Sequence, residues 1–149
     1  MDIVDSKTRS RMMSGIRGKN TKPELTLRRN LFAMGFRYRL HAALPGKPDL
    51  AFRKHNAVVF VHGCFWHRHE GCRLTTTPST RAAFWQEKFD KNVERDKRNM
   101  SLLMDAEWRI AVVWECALRS DAPAAASAVA EWLIGEDGTL EVSRTDRRS

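Results

Sequence analysis

The run Ala57-Val-Val-Phe-Val61 contains no polar side chain, and the stretch that follows it, His62 to Thr77, has no apolar periodicity at all. An unbroken apolar run of this length is expected as a central strand covered on both faces. Trp108 to Trp114 (WRIAVVW) predicts a second buried strand. Two such strands call for helices above and below them. Thr21-Lys22-Pro23-Glu24 is a capping box with proline in the first turn; Leu27, Leu31 and Met34 follow at helical spacing and Gly35 stops the helix. Phe36, Tyr38 and Leu40 alternate with Arg37 and Arg39 as a strand, and Asp49 opens a further strand, Asp-Leu-Ala-Phe. Thr80 is expected to cap a long helix reaching about Asp105, with Phe84, Phe89, Val93, Met100 and Leu103 on one stripe and Asp96 on the same stripe. Asp121 and Pro123 start a last helix that ends at Gly135.

This order predicts an α/β fold: a mixed sheet flanked by helices. The 149 residues are expected to form one domain. Residues 1–20 are expected as a basic arm carrying a short helix over Ser6 to Ile16. The polar tail from Glu136 onward is expected to be frayed and flexible.

The formal net charge is +8, and ten Lys/Arg against Asp2, Asp5 and Glu24 fall within the first forty residues. Such an excess suits a polyanionic partner, although solvated surface charge gives the same count. No apolar run approaches a membrane span, and MDIVDSKTRSRMM lacks the core of a signal peptide, so a cytoplasmic protein without a membrane partner is expected.

Three cysteines in such a compartment argue for metal or free thiols rather than a disulfide framework. Cys64, His69 and Cys72 are spaced C-x4-H-x2-C, and Cys116 follows a predicted strand that can return it to the same place. Three thiolates and one imidazole make a closed tetrahedral site of the structural zinc type. His62 and His67 flank this loop, and either is an alternative ligand, though His67 lies close to Cys64. Asp49, after Pro48, suits a turn as well as a site. With Glu24 on a nearby helix face it also suits Mg²⁺, which prefers oxygen ligands. Phe65-Trp66, with Trp85 beyond, are either core or a wedge that enters between base steps.

The blocks Thr8-Arg9-Ser10, Leu44-Pro45-Gly46-Lys47-Pro48-Asp49, His62-Gly63-Cys64-Phe65-Trp66-His67, Asn92-Val93-Glu94-Arg95-Asp96 and Val113-Trp114-Glu115-Cys116-Ala117-Leu118-Arg119 resemble, in order, the very-short-patch mismatch repair endonucleases. The resemblance runs from about residue 6 to residue 134. It implies a restriction-endonuclease-like core with a structural zinc. It also implies nicking of double-stranded DNA on the 5′ side of the thymine in a T:G mismatch left by deamination of 5-methylcytosine. Asp49 is then the acidic Mg²⁺ ligand, helped by the Val61 carbonyl, with Glu24 acting through metal-bound water. His67 is implied as general base or water-positioning group, His62 as a second histidine at the scissile phosphate, and Asp96 as a supporting acid. Cys64, His69, Cys72 and Cys116 are the implied zinc ligands. Phe65, Trp66 and Trp85 are the implied major-groove aromatics, and Met13 the implied minor-groove wedge. A bacterial, nucleoid-associated monomer that works beside other mismatch repair proteins is part of the same expectation.

This chain departs from the family at Val61, where a hydroxyl contribution is lost, and at Glu70-Gly71, where the zinc loop is longer and Gly71 can absorb a residue in a bulged turn. Two rivals remain at the level of sequence. One is a zinc-stabilised DNA-binding module without catalysis, which has no need of Asp49, Glu24 and His67 together. The other is a related nuclease directed at another lesion or sequence.

Overall fold

A computed structural model describes residues 21–144. Thr21 caps its helix as the sequence predicts, while the Glu24 side chain turns to Arg28 and His41. Thr21 Oγ1 accepts from the Glu24 N–H at 3.4 Å, Pro23 lies in the first turn, and helix α1 spans Lys22–Ala33. Leu27 and Leu31 are buried, but Met34 is the C-terminal cap and is exposed, because the helix ends before that position can face the core. Gly35 follows at φ +99°, a conformation that glycine adopts without steric cost.

The predicted strand from Phe36 is reduced to β1, Arg39–Leu40. Phe36 and Tyr38 instead pack edge-on against Phe52. Strand β2 (Leu50–Phe52) runs antiparallel to β1 and to β3 (Ala57–His62), and a 3-10 turn, Arg53–His55, closes the β2–β3 hairpin. Helix α2 (Ala82–Asp105) then crosses to β4 (Arg109–Trp114), which pairs parallel to β3. The chain continues directly into α3 (Glu115–Ile134) and ends the sheet with β5 (Thr139–Val142), parallel to β4. The result is a five-stranded mixed sheet in the order β1-β2-β3-β4-β5 with helices on both faces.

Strand alternation divides the core in two. Ala57 and Val59 of β3, with Ala111 and Val113 of β4, face Leu27 and Leu31 of α1 and the apolar side of α3, including Val129 and Leu133. Val58 and Phe60, with Ile110, face Leu103 of α2. His62 continues the second row, so its side chain leaves the sheet on the α2 side at the strand's carboxyl end.

Several boundaries differ from expectation. Arg81, not Thr80, precedes α2; it sits in the left-handed region at φ 57° and makes no side-chain cap. Phe84 on the predicted stripe is 43% exposed, whereas Phe89 and Leu103 are buried. Asp121 does cap a helix, accepting from the Ala124 N–H at 3.0 Å, but its extended backbone is a kink, and helical residues from Glu115 precede it. The tail expected to fray from Glu136 instead supplies β5. Leu140 and Val142 pack on the core while Thr139 and Glu141 alternate with them, a period-2 pattern too short to stand out from its polar surroundings.

Arg109, at the start of β4, gathers the end of α3. Its guanidinium donates to the carbonyls of His55 (3.1 Å), Gly135 (3.1 Å), Asp137 (2.9 Å) and Trp132, and lies 4.6 Å from the Trp132 ring centroid. A cation there satisfies helix-end carbonyls and opposes the helix dipole. Arg109→Ala should lower the free energy of unfolding by about 2–3 kcal/mol, the scale of charge-assisted hydrogen bonds left unmade. Arg109→Lys should recover less than half of that loss in urea titrations, because an ammonium cannot span the fork. Full recovery by lysine would show that charge alone matters.

Candidate active site

The parallel register pairs His62 with Trp114 at the carboxyl ends of β3 and β4. The two chains therefore leave the sheet side by side, and Cys64 and Cys116 each come two residues later. On the other side of β3, Leu50 pairs with Val59 and Leu40 with Leu50, so Asp49 and His41 extend the same end of the sheet. The residues with chemistry thus collect along one edge, where open α/β sheets hold their ligands.

Asp49 is fixed from both sides. Its Oδ2 accepts the Val61 N–H at 2.7 Å, and its carbonyl accepts the His41 N–H at 3.1 Å. Burial pushes its carboxyl up from the usual carboxylate range to about 7; the Val61 N–H opposes this rise, and the charge and carboxyl of Glu24 add to it. Glu24, buried on the first turn of α1, accepts from Arg28 Nη1 at 3.0 Å and from His41 Nε2 at 2.8 Å. Ligand atoms of Glu24, His41 and Asp49 all lie within 4.8 Å of one another.

The second cluster is His62, His67 and Asp96. Asp96 Oδ2 lies 2.6 Å from His67 Nδ1, and the His62 and His67 rings stack with centroids 3.8 Å apart and planes 3° from parallel. An ionised Asp96 only accepts, so His67 holds its proton on Nδ1 and leaves Nε2 as the basic nitrogen. Burial holds His62 well below the usual histidine range, with His67 adding to the effect, so His62 is neutral. Asp49, Val61, His62, His67, Asp96 and His41 line one cleft of roughly 510 Å³, into which Lys47 and Arg95 also face.

The cysteine loop forms the third cluster. Donor atoms of Cys64, His69, Cys72 and Cys116 lie within 4.8 Å of one another, and His69 Nδ1 is 3.5 Å from the Sγ atoms of both Cys64 and Cys116. Zinc bonds of roughly 2.3 Å to sulfur and roughly 2.0–2.1 Å to nitrogen, at tetrahedral angles, place those atoms about 3.5 Å apart, so the residues fit such an ion. Burial pushes the Cys64 thiol up. Burial opposes ionisation of Cys72 as well, but the Leu74 N–H and the Cys64 and Cys116 thiols lower it overall. The surroundings are ordered: Thr75 Oγ1 donates to the His69 carbonyl at 2.7 Å, Glu115 Oε1 accepts the Cys64 N–H at 3.3 Å, and the His69 ring stacks on Trp114 at 4.1 Å. Gly71 stands at φ +68°, in the left-handed region that glycine adopts without steric cost.

Phe65, Trp66, Trp85 and Phe89 pack together, mostly edge-to-face, beside His67. Trp66 is buried, and Phe65 and Trp85 are half-buried. Met13 lies outside the described residues. His41 carries no signal in the sequence beyond its position opposite Asp49 across a hairpin loop. Nor does the sequence mark Asn92, whose buried amide donates to the Trp66 carbonyl at 3.3 Å, or Glu141, which accepts from Trp114 Nε1 at 2.6 Å.

Residues 1–73 match the family model described as DNA mismatch endonuclease Vsr. The chain is 41% identical over 146 residues to DNA mismatch endonuclease Vsr of Escherichia coli strain K12, covering 95% of this chain and 93% of that protein. It is 44% identical over 118 residues to Type II nicking enzyme V.XorIIP of Xanthomonas oryzae pv. oryzae, covering 78% and 86% respectively. Type II nicking enzyme V.NmeAIP of Neisseria meningitidis serogroup A is 43% identical over 122 residues, covering 81% and 86%.

The raised Asp49 carboxyl gives a pH dependence whose sign follows from linkage. Without metal, the folded state keeps a proton that the unfolded chain gives up near 3.8. Stability from this group is therefore full below about pH 4 and drains away as pH rises through about 7. In chelator, Asp49→Asn should raise Tm most at pH 8, with the gain shrinking towards pH 4. A gain independent of pH in thermal melts would contradict this ionisation.

Proposed function

The chain belongs to the Vsr DNA mismatch endonuclease family, and on that premise we propose that this endonuclease nicks one strand of duplex DNA on the 5′ side of the thymine in a T:G mismatch. The observation that carries the reading is the cleft itself, which sets the Asp49 carboxylate and the His67–Asp96 pair against a common space.

Asp49 is proposed to hold Mg²⁺ together with the Val61 main-chain carbonyl, with Glu24 acting through water. Oxygen donors suit that ion, and a cation relieves the repulsion between two facing carboxylates. When bound, the metal neutralises charge on the scissile phosphate and leaving oxygen. His67 takes a proton from the attacking water at Nε2 while Asp96 stabilises the resulting imidazolium through Nδ1. The new oxygen–phosphorus bond forms as the bond to the leaving oxygen breaks. His62, buried and neutral, supports the His67 ring by stacking without placing a second charge beside it.

Zinc held by Cys64, His69, Cys72 and Cys116 is proposed to fix the loop so that His67 keeps its place between two ligated residues. Phe65, Trp66 and Trp85, next to that loop, are the proposed wedge from the major groove, with Met13 on the minor-groove side. The arm at 1–20 is proposed to grip phosphates, which makes binding strongly salt-dependent. Single-strand cutting is supported by the relatives named as nicking enzymes. The restriction-endonuclease-like classification is proposed on the same family ground.

A duplex with one T:G mismatch, in a CTAGG or CTTGG context, should be nicked just 5′ of the mispaired thymine in the presence of Mg²⁺, while the matched duplex stays intact. Asp49→Ala should abolish the nick, and His67→Ala should slow it by roughly 10²–10⁴-fold, the usual worth of a general base. Cutting of both duplexes would redirect the reading to a nuclease of other specificity. Mismatch binding without any cut would favour a non-catalytic reader. Separately, elemental analysis should find one zinc per chain, lost in Cys116→Ser together with thermal stability; a full zinc complement in that variant would exclude Cys116 as a ligand.

A further inference from the structure

We propose that His41 is a positioning residue for the divalent-ion site: it holds the Glu24 carboxylate towards Asp49 through the Nε2–Oε2 hydrogen bond. The inference rests on the reading that Asp49 and Glu24 serve one ion.

Glu24 is almost fully buried, at 1% exposure, on a helix whose remaining inward residues are apolar. A buried carboxylate keeps its charge only against strong donors. Two of these converge on the same oxygen, Arg28 Nη1 from one turn further along α1 and His41 Nε2 from beyond β1. They differ in what else they hold. Arg28 is on the same helix as Glu24 at i+4 spacing, so its bond survives any movement of α1 against the sheet. His41 is tied to the sheet: its N–H donates to the Asp49 carbonyl, and its ring lines the cleft. Its bond to Glu24 therefore registers the helix-borne carboxylate against the strand-borne one.

The imidazole is suited to this task. With Nε2–H donating to a carboxylate, the tautomer is set and the ring supplies one directed donor without adding a further carboxylate's charge. The backbone at His41 is left-handed, at φ 48°, so the ring is delivered from a turn that other non-glycine side chains reach only at a cost. Asn or Gln in its place can offer an amide donor, with Gln closer in reach.

The test uses the full-length protein carrying its zinc. Mn²⁺ binding without DNA is measured by electron paramagnetic resonance, and nicking of the T:G duplex is measured as a function of Mg²⁺ concentration. His41→Ala should weaken Mn²⁺ binding about tenfold, the worth of one charge-assisted hydrogen bond. The same variant should raise the Mg²⁺ needed for half-maximal nicking by a similar factor and leave the rate at saturating metal near that of the unchanged protein. His41→Gln, which keeps a donor, should return both values to within about threefold of the unchanged protein. If His41→Ala fails to fold, the glutamine variant alone decides: near-normal binding supports positioning and weakened binding overturns it. Unchanged Mn²⁺ binding by His41→Ala also overturns it, as does a glutamine variant no better than alanine, which would make the imidazole itself a ligand. Failure of the underlying reading looks different, because Asp49→Ala would then bind Mn²⁺ normally.

Discussion

Parallel pairing of β3 with β4 is the constraint on which the site depends. The two strands carry apolar side chains on both faces, so they can lie only at the centre of a covered sheet, and one six-residue register buries both. The same register brings His62 beside Trp114 and delivers Cys64 and Cys116 to one point. A slip of one residue would reverse the facing of every side chain on the strand, turning His62 towards α3 and Val61 towards α2. Hydrophobic burial thus fixes the positions of polar groups that take no part in it.

The cost of those polar groups is met locally. Glu24 sits among apolar neighbours with Arg28 and His41 against one oxygen, and Asp49 takes the Val61 N–H. His62 stays neutral, and His67 Nδ1 is paired with Asp96 Oδ2 at 2.6 Å. Asp49 is anchored by main-chain groups, and His67 by Asp96 and the stacked His62 ring, with all of them lining the cleft. Such an arrangement holds reactive groups in place before a substrate arrives, which reduces the ordering left for the reaction to supply.

Much of this was legible in the sequence where one local rule decides the outcome. Thr21, Pro23 and Glu24 announced α1 because capping is a property of four adjacent residues, and Ala57 to Val61 announced β3 because full burial removes alternation. The C-x4-H-x2-C spacing selected the three loop members of the cysteine–histidine cluster, and the strand before Cys116 supplied the fourth. Long-range placement was harder to read. His41 carries no local mark, since its meaning comes from pairing across a hairpin with Asp49. Leu140 and Val142 form a strand because β4 offers them an edge, although their own segment is mostly polar. Residues Glu115 to Ser120 turn helical straight from β4 with Ala117 and Leu118 buried in the core, where the sequence pointed only to Asp121 and Pro123. Phe84 and Met34 fit helical stripes yet lie at helix ends, beyond the reach of the core.

The direct passage from β4 into α3 has a consequence for how the protein is made. Asp49, His62, Cys64 and His67 all precede α2 in the chain, but His67 has no Asp96 until α2 is made, and Cys64, His69 and Cys72 have no fourth partner until Cys116 arrives after β4. Cys116 follows β4 without a linker, so the last cysteine of the cluster comes with the strand that places it. A chain cut short within α2 contains Asp49 and the histidines but lacks Cys116 and the strand that places it. For a chain whose cleft bears the groups of a nuclease, the full set of groups is complete only when the later strands are in place.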